Sequence, residues 1–177
     1  MKHFVITAVG EDRPGIVAGL TEVLYKKGFN IEDSAMTRLN NEFAVMLIVA
    51  TEEESITEQE LKESFRNVAQ EKNLFINVRQ IPEDVFNQEH KSGQIYSLVV
   101  YGADKPGIVY SVAKLLADRG INITDLRTEK TPEIYVLIAQ LEFPEGLSEE
   151  DIQPEIERLK GELNIDINLE KVETVEM

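Results

Sequence analysis

The chain states one pattern twice. Residues 10–33 read GEDRPGIVAGLTEVLYKKGFNIED, and residues 102–125 read GADKPGIVYSVAKLLADRGINITD. Gly10, Asp12, Pro14, Gly15, Ile16, Val17, Leu24, Gly28, Asn30, Ile31 and Asp33 recur 92 positions on. They return as Gly102, Asp104, Pro106, Gly107, Ile108, Val109, Leu116, Gly120, Asn122, Ile123 and Asp125. Such a repeat requires two copies of one folding unit, whatever the local propensities say. Each copy has about 85 residues, enough for a small core.

The same elements are legible in both copies. Residues 3–9 and 94–101 are β-branched and aromatic runs ended by glycine, which read as strands. After the proline–glycine loop, Ile16, Val17, Leu20, Val23 and Leu24 fall on one face of a helix. Ile108, Val109, Val112, Leu115 and Leu116 do the same, and Gly28 and Gly120 stand where a left-handed residue ends a helix. Strands are expected over 30–39 and 42–50, and over 122–131 and 133–142, with turns at Asn40-Asn41 and Thr131-Pro132. Phe43, Val45, Leu61, Phe65, Leu74, Ile76 and Val78 match Ile134, Val136, Ile152, Ile156, Ile165, Ile167 and Leu169 at an offset of 91. That offset places a one-residue deletion in the second hairpin turn. Thr57-x-x-Glu60 and Ser148-x-x-Asp151 read as capping boxes, flanked by the staples Ile56/Leu61 and Leu147/Ile152.

Each copy is therefore βαββαβ. The fold class is α+β: two ferredoxin-like domains, each a four-stranded antiparallel sheet with two helices on one face. The expected domains are 1–82 and 94–177. Residues 83–93, polar apart from Val85 and Phe86, are expected to be a linker.

Charge and composition narrow the function. There are 33 acidic and 18 basic residues, a net charge of −15, and both halves are acidic. Direct nucleic-acid binding needs clustered Lys and Arg, so it is not expected. Anionic membrane surfaces are disfavoured for the same reason. With no cysteine there is no disulfide, thiolate nucleophile or Cys-based zinc site. The apolar run Phe4 to Val9 is too short for a signal sequence, and no segment has the ~18 apolar residues of a membrane span. A soluble, cytoplasmic protein is expected.

The repeated loop is the candidate site. Asp12 and Asp104 precede the helix, and Pro14 and Pro106 suit its first turn, where a missing N–H is harmless. Gly15 and Gly107 let a ligand approach the backbone, and the free N–H groups of a first turn favour a carboxylate. Asn30 and Asn122 open the next strand and are expected beside the loop, where an amide both donates and accepts. Together these groups read as a receptor for an amino acid. The competing reading is purely structural, with the aspartates as helix caps and the asparagines bonding their own turns.

Enzyme chemistry has little support. His3 and His90 do not repeat, and the acidic runs Glu52-Glu53-Glu54 and Glu149-Glu150-Asp151 fall at expected helix starts, where they complement the macrodipole. Tyr101 and Tyr110 flank the second loop and are expected to pack as aromatics. No catalytic residue, metal ligand or cofactor is expected. An RNA-binding module of this fold needs exposed aromatics and basic rims, and a metal chaperone needs a cysteine pair.

The DRPGIV and DKPGIV loops, each followed by a helix, GxNI and a hydrophobic hairpin, resemble the ACT domain. Both copies match, and together they cover nearly the whole chain. A chain of two such domains resembles the glycine cleavage system transcriptional repressor group. The resemblance implies a regulatory module binding an amino acid at an interface between ACT domains. The ligand-proximal positions it implies are Asp12, Pro14, Gly15, Asn30 and Ile31, with Asp104, Pro106, Gly107, Asn122 and Ile123. The expected partners are an amino acid, a second copy in a homodimer, and a regulatory protein through which any transcriptional effect would pass. The alternative is a constitutive dimerisation or protein-interaction module with no ligand.

Overall fold

Strand β1 (Lys2–Glu11) forms the spine of the first sheet. It pairs antiparallel with β3 (Glu42–Thr51) on one side and with β4 (Leu74–Ile81) on the other. Strand β2 (Asn30–Leu39) pairs with β3 at the edge, giving the order β2-β3-β1-β4. Helix α1 (Ile16–Lys26) follows β1, and helices α2 (Glu58–Ser64) and α3 (Arg66–Lys72) join β3 to β4. A short helix α4 (Glu83–Phe86) comes after β4. The second copy has β5 (Gln94–Gly102), α5 (Ile108–Asp118), β6 (Asn122–Lys130), β7 (Tyr135–Phe143), α6 (Glu149–Leu163) and β8 (Ile165–Lys171). Its sheet order is β6-β7-β5-β8, the same topology. This computed structural model describes residues 1–86, 93–132 and 134–172. The chain divides into two compact units, Met1–Glu89 and His90–Met177, each with its own core. Each is a ferredoxin-like βαββαβ unit.

One sheet face is dry in each unit because alternate strand residues are apolar. Phe4, Ile6 and Ala8 of β1, Val45, Leu47 and Val49 of β3, and Leu74, Ile76 and Val78 of β4 are buried in the first core. Ile16, Leu20 and Leu24 of α1 are buried in that core, and Ile108, Val112 and Leu116 of α5 are buried in the core of the second unit, one residue per turn. Burying such a side chain is worth about 1.5–3 kcal/mol. Val17 and Val109, expected on the same face, are instead surface residues, 47% and 38% exposed. They sit in the first turn beside the loop.

The helix ends obey the glycine signal. The Phe29 N–H donates to the Leu24 carbonyl and the Gly28 N–H to that of Tyr25, at 3.0 and 3.1 Å. Ile121 and Gly120 repeat these bonds to Leu116 and Ala117 at 2.9 and 3.0 Å. Both are Schellman motifs, closed by Gly28 at φ 71° and Gly120 at φ 69°.

Three further expectations are corrected. The one-residue deletion is not in the hairpin. Arg38 pairs with Phe43, and Lys130 pairs with Tyr135, so both hairpins keep the 92-residue offset. Leu137, Ala139 and Leu141 hold the buried places of Val45, Leu47 and Val49. Ile134, matched to the buried Phe43 from the sequence, is 47% exposed. The deletion falls in the β7–α6 connection, because a deletion in the hairpin would turn every buried residue of β7 to the other face. The second helix of the first unit is broken at Phe65 into α2 and α3, whereas α6 is continuous. Glu52, Glu53 and Glu54 lie before the helix, whose acidic first turn is Glu58 and Glu60. Residues 83–86 of the expected linker are helical, while residues 87–92, with His90, lie outside the described residues.

Both capping boxes carry an acid-sensitive bond. The Thr57 N–H donates to Glu60 Oε2 at 2.9 Å, and the Ser148 N–H donates to Asp151 Oδ2 at 2.8 Å. These backbone bonds, followed by the Thr57 and Ser148 hydroxyls, hold both carboxyls below their ordinary values. A carboxyl lowered by folding stabilises above its unfolded pKa and loses that contribution as pH falls through the lowered folded value. Glu60→Gln is therefore expected to flatten part of the acid limb of the stability curve, below roughly pH 4.5. Urea midpoints measured against pH for parent and variant check this. Among the described residues no helix is long and apolar enough to cross a membrane.

Candidate ligand-binding loops

The two repeated loops open helices that no side chain caps. Gly15 is the N-cap of α1 at φ 88°, and Gly107 is the N-cap of α5 at φ 98°. Such angles are accessible to glycine at little cost, which explains the residue type at both places. Neither cap makes a side-chain hydrogen bond, and neither first turn holds an acidic residue. Helices α2 and α6 differ, since each starts at a capping box with an acidic first turn. The first N–H groups of α1 and α5 thus face outward with a partial positive charge and no side-chain acceptor. Pro14 and Pro106 stand one residue before the cap rather than inside the first turn, because the glycines start the helix.

Asp12 and Asp104 do not cap these helices. Arg38 Nη1 donates to Asp12 Oδ2 at 3.4 Å, and Lys130 Nζ lies 2.5 Å from Asp104 Oδ2. Arg38 and Lys130 occupy equivalent places in β2 and β6. The Asp104 carboxylate, by accepting this hydrogen bond, raises the Lys130 ammonium above the usual lysine value. The Asp12 N–H also donates to the Asn41 carbonyl at 2.6 Å, tying the loop to the β2–β3 turn. Sequence reasoning missed Arg38 and Lys130. The signal was present, since both are basic at one repeat position, but exposed cations at strand ends have no periodicity to mark them.

The loops differ in their surroundings. Lys72 Nζ lies 3.2 Å from where a Cβ on Gly15 would stand, whereas nothing is within 4 Å of the same point on Gly107. The place of Lys72 is taken by Leu163, whose carbonyl accepts from Lys105 Nζ at 3.1 Å. Loop 1 therefore keeps an extra ammonium over its helix terminus. Loop 2 spends its lysine on the end of α6 and stays open.

Asn30 and Asn122 are not beside the loops of their own units. Asn30 pairs with Ala50, whereas Glu11, next to the loop, pairs with Glu42. Eight strand residues separate those points, about 26 Å at ~3.3 Å per residue. Asn122 pairs with Glu142 while Gly102 pairs with Tyr135, so the second unit is arranged alike. The crossover explains this: a helix returns the chain to the far end of the sheet before the next parallel strand begins. Asp12, Pro14 and Gly15 come together, as do Asp104, Pro106 and Gly107. Asn30 with Ile31, and Asn122 with Ile123, form separate groups at the opposite ends. Tyr101 and Tyr110 are not core aromatics, being 45% and 69% exposed.

Comparison with known proteins agrees with this fold. Family models described as the ACT domain match residues 2–79 and residues 96–164. A UPF0237 protein of Methanopyrus kandleri is 35% identical over 91 residues, which are 51% of this chain and 99% of the relative. One from Methanocaldococcus jannaschii is 31% identical over the same shares. A solved structure from Galdieria sulphuraria, titled an unknown protein, has a TM-score of 0.81 and 26% identity, covering 97% of this chain and 99% of that one. A structure provisionally titled a glycine cleavage system transcriptional repressor has a TM-score of 0.76 and 21% identity, with 98% of both chains covered. That last likeness concerns the fold alone. The chain belongs to the ACT-domain family, as two ACT domains in tandem.

Proposed function

We propose that this is a non-enzymatic, amino-acid-responsive regulator. The observation that carries the reading is the matched pair of uncapped helix N-termini behind Gly15 and Gly107, each with an Asp–cation pair beside it. A carboxylate satisfies first-turn N–H groups and the helix dipole together. The ligand's ammonium group goes to Asp12 or Asp104, each already half-neutralised by Arg38 or Lys130. The extra Lys72 makes loop 1 the stronger carboxylate receptor of the two.

One unit supplies only part of this site, since its Asn30 or Asn122 is at the far end of the sheet. The edge strand β2 is exposed at all ten residues, and exposed edges invite pairing. Antiparallel pairing of two such edges sets the start of one strand beside the loop of the other unit. Asn30, Ile31, Asn122 and Ile123 then complete the sites of partner units, in a homodimer or larger ACT assembly. Ligand favours that arrangement to the extent that it binds it better. We place this action in the cytoplasm. A net charge of −15 leaves any contact with DNA to a protein partner.

A thermal-shift screen against the twenty amino acids, with their decarboxylated amines as controls, tests the reading. Binding at a hundredfold excess over Kd adds ~2.7 kcal/mol to the folded state. A selective rise in midpoint, absent for the matching amine, is the expected result. The exposed β2 edge also suits the second reading, a constitutive dimerisation module. No shift with any amino acid would leave that reading standing.

A further inference from the structure

His3 is, with Thr51, one of two polar residues buried among the described residues. Its ring stacks on Phe86, with centroids 3.6 Å apart and planes 13° from parallel. Its Nε2 lies 3.4 Å from Glu32 Oε2, and its buried Nδ1 has no hydrogen-bond partner among the described residues. Three segments meet here: the first strand, the start of β2, and α4, beyond which the chain leads to the second unit.

Glu32 is there because of a bulge. Strand β2 pairs Ile31 with Val49 and Asp33 with Ile48, so Glu32 is the extra residue. A bulge re-aims the side chain it carries. The second unit has the same bulge, between Ile123 and Asp125, without the cluster. It carries Ile95 in place of His3 and Thr124 in place of Glu32, and the Thr124 hydroxyl donates to the Gln140 carbonyl at 3.2 Å. The fold therefore does not require an imidazole and a carboxylate at these positions. Burying an imidazole costs more than burying isoleucine, so the cluster calls for a reason beyond the fold that both units share.

We propose that Glu32, His3 and Phe86 form a clasp that ties the segment leaving the first unit to the bulge at the start of β2. Glu32 orients the imidazole, and the imidazole face holds Phe86. The Val85 and Phe86 N–H groups both donate to the Pro82 carbonyl at 3.0 Å, so holding Phe86 holds the whole turn. The clasp thereby fixes α4 to a point two residues from Asn30, through Glu32. A displacement at the start of β2 is transmitted to α4. This clasp stands whether or not the loops bind a ligand.

Cleavage by a glutamate-specific protease tests it, because the bond after Glu83 lies inside α4 and is cut only when that turn lifts. Phe86→Ala and Glu32→Thr are each expected to speed cleavage after Glu83 roughly tenfold, at an unchanged melting midpoint for the full chain. Phe86 is peripheral, and threonine is what the second unit carries at the bulge, so neither change threatens folding. Parental cleavage rates in both variants would overturn the clasp. A faster rate in Phe86→Ala alone would also overturn it, since the link to β2 would then be absent.

Discussion

Phe65→Ala is expected to remove a large share of the stability of the first unit. Phe65 is 1% exposed and packs in the first core where α2 gives way to α3. Truncating a buried phenylalanine costs about 3–5 kcal/mol, through lost transfer energy and the cavity left behind. A unit of about 85 residues has only ~4–13 kcal/mol in total. The break in the helix sharpens the expectation. Phe65 has φ −87° and ψ −4°, and its carbonyl accepts from the Ala69 N–H at 2.9 Å. Its ring is what anchors the junction to the sheet. The equivalent Ile156 lies within the continuous α6 and is smaller, so Ile156→Ala should cost less, about 2–5 kcal/mol. Hydrogen exchange at the β1 and β3 amides reports the loss. Exchange in Phe65→Ala no faster than in the parent would mean that this ring does not hold the core.

The second large effect separates ligand binding from folding. Val17 and Val109 lie in the first helical turns, and both are exposed. Val17→Asp or Val109→Asp places a carboxylate over the free N–H groups. That charge suits the helix dipole and stabilises the helix by about 0.3–1 kcal/mol. On the proposed reading it also takes the place of the ligand carboxylate and repels it. The double variant is expected to melt at or above the parent temperature yet bind the amino acid roughly tenfold more weakly, a loss of ~1.4 kcal/mol. Calorimetric titration beside a melting curve reads both quantities. Parental affinity in the double variant would place the carboxylate elsewhere. Gly15→Leu tests this less cleanly, because a side chain at φ 88° is strained whether or not anything binds.

The repeat made the topology legible, because glycine, proline and capping signals fall at the same places in both copies. The capping boxes at Thr57 and Ser148 and the Schellman ends at Gly28 and Gly120 follow from local chemistry and needed no tertiary context. The place of the deletion is not legible in the sequence, because Val136 and Ile138 of β7 lie on the face opposite the buried Leu137 and Ala139. Ile134, Val136 and Ile138 make the wrong frame look as hydrophobic as the right one, and only pairing with β5 decides between them. The candidate site was half legible. Asp12, Pro14 and Gly15 are contiguous, so sequence placed them together. Asn30 was misplaced because the direction of a crossover strand, not its position in sequence, sets which end of the sheet it opens. Arg38, Lys130 and Lys72 reach the loops from distant elements, which no local pattern announces.

On the proposed reading, the uncapped N-termini of α1 and α5 receive a ligand carboxylate. The most direct test is amide NMR of the full chain, titrated with whichever amino acid raises its melting midpoint, or with all twenty in turn. The predicted result is a set of saturable shifts at the Ile16, Val17, Ile108 and Val109 amides, larger at α1, with companion shifts at Asn30 and Asn122. Shifts confined to other surfaces, such as the groove between α1 and α3, or no shifts with any amino acid, would contradict it.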